Sequence, residues 1–177
     1  MSGIYMYTEG TEPTAEQYGS MSLVVLEDDV SYNLGWRGWA IKHSWSERLI
    51  NFWDDFSSDG RLEGYQGEGE DAPIASLAAS VKLAPGETRT ITFLLTWHFP
   101  NRQSWDVLIK PKVEQLNTKC CGGGVCRCEK PVRIGNYYAT QYVDAWEAAD
   151  RTAARLSVLE NRTVRFVEAF LSSSLPD

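Results

Sequence analysis

The four cysteines and two histidines of this chain, with its strings of carboxylates, are the residues whose chemistry has to be weighed first. Cys120, Cys121, Cys126 and Cys128 fall within nine residues around Gly122-Gly123-Gly124. Four thiolates can hold zinc tetrahedrally, and the glycines would let the backbone wrap an ion. The spacing is not the usual pair of Cys-x-x-Cys knuckles, and adjacent cysteines seldom ligate one ion together. Three readings stay open: a zinc site on these four residues, a disulfide, or a reduced loop with no dedicated role.

The histidines are His43 and His98. There is no Gly-x-Ser-x-Gly, no phosphate-cradling glycine loop and no His-Glu-x-x-His around which a known reaction could be built. His98 ends a strong strand pattern in Trp97-His98-Phe99-Pro100-Asn101-Arg102, where a bond to a neighbour is the plain expectation. Asp54, Asp55, Asp59, Glu63, Glu68, Glu70 and Asp71 form the densest carboxylate run. Glycoside cleavage needs two carboxyls facing each other across a bond, one with a raised pKa. Acids in a Gly-rich stretch are expected to be solvated instead. Trp36, Trp39, Trp45, Trp53, Phe56, Trp97, Trp105 and Trp146 could stack on sugar rings or fill core and interfaces.

These residues need elements to place them. Met21–Glu27 is a short apolar run ended by Asp28 and Asp29, as a buried strand would be. Leu77, Ala79, Val81 and Leu83 alternate with small or polar residues, which puts an apolar set on one face. Ala84-Pro85-Gly86-Glu87 turns the chain, and Ile91, Phe93, Leu95 and Trp97 repeat the alternation against a Thr-rich face. Asp54–Asp71 and Asn117–Lys130 have no period and read as loops. From Asn136 a helical stripe runs through Tyr142, Trp146, Ala149, Ala153, Leu156, Thr163, Val167 and Phe170. Gly135-Asn136 is its expected cap. Unbroken from Tyr138 to Leu171, that helix would be about 50 Å long, so a break near Asn161 or an external packing partner is expected.

The expected fold is therefore mainly β: an antiparallel β-sandwich over residues 1–135, with a Cys-rich loop at 117–130. A helical segment of one long or two shorter α-helices follows over 136–177. Composition sets limits. The 177 residues carry 17 Lys and Arg against 24 Asp and Glu, a net charge of −7, which argues against a nucleic-acid partner. No uninterrupted apolar run is longer than Leu23–Leu26, far short of the roughly 20 residues that span a bilayer. Nothing near Met1 resembles a signal peptide, so a cytoplasmic location is expected.

Several blocks resemble one family. They are Gly19-Ser20-Met21-Ser22-Leu23, Asn51-Phe52-Trp53-Asp54-Asp55-Phe56 with Asp59-Gly60, and Leu83-Ala84-Pro85-Gly86-Glu87 running into Leu95–Arg102. Ile134-Gly135-Asn136-Tyr137-Tyr138-Ala139-Thr140 and Asp144-Ala145-Trp146 complete the set. In this order and spacing they look like the N-terminal domain of glycoside hydrolase family 116, which includes the non-lysosomal glucosylceramidases, bile-acid β-glucosidases and bacterial relatives. The resemblance extends from about Tyr18 to Pro176, with the Cys-rich stretch unmatched.

It implies a two-domain parent enzyme in which this sandwich scaffolds a C-terminal (α/α)6 domain that hydrolyses β-glucosides with retention. Both catalytic carboxyls belong to that second domain, so no catalytic residue is carried onto this chain and no cofactor is implied for the reaction. His98, Asn101, Arg102, Tyr137, Tyr138 and Trp53 are expected at the substrate-facing or interdomain edge. Trp146, Val167 and Phe170 are expected to dock on the catalytic domain, through which a glucoside or glycolipid would be met. Two other readings come from the residues alone: a free-standing carbohydrate-binding module using exposed Trp, and a thiolate metal protein.

Overall fold

The structure is a computed structural model that describes residues 1–35, 45–64, 74–104 and 133–172, with the side chains of 45–48 left aside. His43, Trp36, Trp39, Trp105, Glu68, Glu70, Asp71 and all four cysteines lie outside the described residues, as does the side chain of Trp45.

Among the described residues, five strands form two antiparallel sheets. Strands β1 (Ser2–Tyr7), β2 (Ser20–Val25) and β5 (Phe93–His98) make the first, in the order β1-β2-β5. Strands β3 (Val30–Asn33) and β4 (Ser76–Ala79) make the second. The two alternating segments seen in the sequence thus belong to different sheets, and each pairs with a strand from the first 35 residues. The helical segment closes the described chain. A 3-10 turn (Tyr137–Thr140) is followed by two shorter helices, α2 (Ala145–Ala153) and α3 (Leu156–Leu171).

Register decides which face of the main sheet is covered. Ser20 pairs with His98, Ser22 with Thr96 and Val24 with Leu94, so these side chains share one face. Ser20, Ser22, Val24 and His98 are all buried there. The opposite face carries Phe93, Leu95 and Trp97 on β5, and all three are exposed. The expected alternation is present, but α2 packs on the side that bears hydroxyls. Its contact residues Ala145 and Ala149 are fully buried, and small side chains let the helix backbone come close enough for those hydroxyls to reach it. Close approach recurs at Gly19, where a Cβ would strike the His98 carbonyl and the Phe99 ring.

Three local expectations need correction. Residues 54–59 are not loop but the second half of α1 (Trp45–Asp59). Leu49, Phe52, Trp53 and Phe56 recur at helical spacing, and Phe52 stacks on Phe56 at 6.2 Å; the interleaved Asp residues hid that period. Gly60, at φ 76°, ends the helix in the left-handed conformation that glycine adopts readily. The C-terminal helix breaks at Ala154–Arg155 rather than near Asn161, where Arg155 leaves helical geometry at φ −121°, ψ 11°. Finally, Asn136 precedes the 3-10 turn without capping it by its side chain, and the cap of α2 is Asp144, whose Oδ1 accepts from the Glu147 amide at 2.8 Å.

Candidate functional site: a hydrogen-bonded joint between sheet and helix

The residues nominated at the end of β5 meet those nominated after Ile134, and backbone pairing brings them together. The Ile134 and Gly135 amides donate to the Arg102 carbonyl, and the Asn136 amide donates to the Pro100 carbonyl. Gln103 and Arg133 form an antiparallel bridge at the outer end. Gly135 takes φ 68° where the returning strand bends into the 3-10 turn.

Side chains then fasten this pairing. Tyr138 Oη accepts from the Phe99 amide at 3.1 Å and donates to the Phe99 carbonyl at 2.9 Å. Asn136 Nδ2 donates to the same carbonyl at 2.8 Å. Buried Asn101 donates both amide hydrogens, to the Pro13 and Ala15 carbonyls at 2.8 Å each, and its Oδ1 accepts from Arg133. One side chain therefore ties the β1–β2 loop to the β5 exit. An apolar residue there would take the donor from the Pro13 carbonyl and leave the Ala15 carbonyl with the Tyr18 amide alone.

The next layer seats α2. His98 Nε2 lies 2.9 Å from the Tyr142 carbonyl, and its ring meets Tyr138 edge-on at 5.9 Å. The Ala145 amide, in the first turn of α2 and so without an intrahelical acceptor, donates to Ser20 Oγ at 3.1 Å. The Ala145 carbonyl accepts from Thr96 Oγ1 at 2.7 Å and from Ser22 Oγ at 3.2 Å. The Ser22 and Thr96 hydroxyls are themselves 2.6 Å apart.

Charge reinforces the same turn. Glu147 Oε2 accepts from the Val143 amide at 2.7 Å and Oε1 pairs with Arg151 at 2.5 Å, while the Arg151 guanidinium sits 5.8 Å from the centre of the Tyr142 ring. The Val143 amide above all holds the Glu147 carboxyl below its ordinary value; desolvation, next in size, opposes it, and Arg151 and the nearby His98 add to the lowering.

Chemically, this arrangement positions rather than reacts. Its hydroxyls and amides are consumed by one another. Two carboxylates of α1 also have structural partners: Asp55 accepts from the Glu63 amide and Asp59 from the Arg61 amide. Arg61 in turn pairs with Asp29. No group of three or more His, Cys, Asp or Glu residues that could hold a metal ion occurs among the described residues.

The sequence profile of the family described as "beta-glucosidase 2, glycosyl-hydrolase family 116 N-term" matches residues 1–159. The chain belongs to that family. No curated protein matches it. The structure distributes the six nominated residues of this family 116 N-terminal domain unevenly. His98, Asn101 and Tyr138 are inside the joint, where their polar atoms bind main chain. Arg102 and Tyr137 flank it with side chains outward, Tyr137 being 80% exposed. Trp53 stands on a different element, α1, and is 61% exposed.

Sequence reasoning missed Ser20, Ser22, Thr96, Asp144 and Glu147. Two signals pointed to them. Ser20-Met21-Ser22 places hydroxyls at a strand's two-residue period, and Asp144-x-x-Glu147 has the spacing of a helix start.

Proposed function

We propose that the chain is the noncatalytic N-terminal part of a retaining β-glucosidase or glucosylceramidase-like hydrolase. Its role is to scaffold a following (α/α)6 catalytic domain by fixing the direction in which the polypeptide leaves the sheet. The observation that carries this reading is the joint itself. His98 of the β5 end, with Ser20 and Thr96 of the sheet, spends its polar atoms on the main chain of Tyr142 and Ala145 and so holds α2 against β2 and β5, and family membership supplies the chemical context. Arg102 and Tyr137, exposed beside the joint, are the residues that face the catalytic domain or its glucoside or glycolipid substrate. No helix of the described residues is long and apolar enough to cross a membrane, and the cytoplasm is the compartment proposed.

The test is hydrolysis of 4-nitrophenyl β-glucoside. The 177-residue chain should release no nitrophenol above background, while the polypeptide its gene encodes should do so with retention of configuration. Turnover by the 177 residues alone would remove the reading.

A carbohydrate-binding role is favoured by one observation: Trp53 and Trp97 are both more than half exposed. A saturable change in Trp fluorescence with glucosides, lost in Trp53→Ala, would establish it in place of scaffolding. Zinc on Cys120, Cys121, Cys126 and Cys128 is a separate proposal. About one equivalent by elemental analysis of protein purified without chelator supports it, and less than about a tenth removes it.

A further inference from the structure

We draw no further inference here: the strongest candidate, the exposed apolar patch of Phe93, Leu95 and Trp97 on the face of the β1-β2-β5 sheet turned away from α2, carries nothing because it is an unpartnered face and nothing in the structure shows what covers it.

Discussion

Helices α2 and α3 are neighbours in sequence with similar amphipathic patterns, yet their circumstances are opposite. α2 has two fully buried alanines, a capped first turn and three sheet hydroxyls on its Ala145 amide and carbonyl. α3 has no buried residue and no side-chain cap. Periodicity makes a helix amphipathic, but it does not say whether the partner of the apolar face lies in the same unit. What separates the two is polar complementarity at a specific place, the Ser20–Ser22–Thr96–His98 row of the sheet.

The comparison can be broken first at its most connected residue. Asn101→Ala removes the buried side chain that donates to the Pro13 and Ala15 carbonyls, the second of which keeps the Tyr18 amide, and should destabilise the chain by about 2 kcal/mol. Arg102→Ala, one residue on and exposed, should stay within about 0.5 kcal/mol. Urea unfolding of the two variants measures the contrast. Equal effects would mean that Asn101 does not tie the loops together.

The seating of α2 comes next. Ser22→Ala combined with Thr96→Val removes both hydroxyl donors to the Ala145 carbonyl and should cost about 1–2 kcal/mol. Amide exchange in α2 should rise with it, while α3 stays as it was. Smaller again is the contrast between adjacent tyrosines. Tyr138→Phe loses the hydroxyl that both accepts from and donates to Phe99, at about 1 kcal/mol, whereas Tyr137→Phe should be neutral.

These same residues show what could be read in advance. The blocks around Trp97–Arg102 and Ile134–Thr140 stood out as distinctive sequence, and the alternation of β5 was plain. That the two blocks are each other's partners was not, because backbone pairing such as Ile134 to Arg102 leaves no side-chain pattern. The covered face of β5 was misleading for a related reason. Hydropathy favours Phe93, Leu95 and Trp97 as the inner set, while the seating of α2 depends on geometry between hydroxyls and one peptide group. In α1 the pattern was present but diluted, since Asp54, Asp55, Ser57, Ser58 and Asp59 obscure a short apolar period. The break at Ala154–Arg155 contains neither Gly nor Pro and so gave no signal.

The smallest expected effect is a pH dependence at the base of α2. Glu147 is held below its ordinary value in the folded chain, so its contribution is complete above the normal carboxylate range. It should fade as pH falls through that range toward the lowered folded value. Glu147→Gln should therefore lower the unfolding midpoint slightly near neutral pH and make no difference in strong acid. A deficit that persists unchanged in acid would mean the side chain acts through packing rather than charge.

Hydrogen–deuterium exchange along residues 133–172 of the 177-residue chain tests the central claim, that the sheet fixes α2 and leaves α3 to something else. Amides from Ala148 to Ala153 should be protected to nearly the global stability, with those from Thr163 to Leu171 exchanging at rates close to an unstructured peptide. Equal protection of the two helices in the monomer would contradict the account, because α3 would then need no partner beyond its own chain.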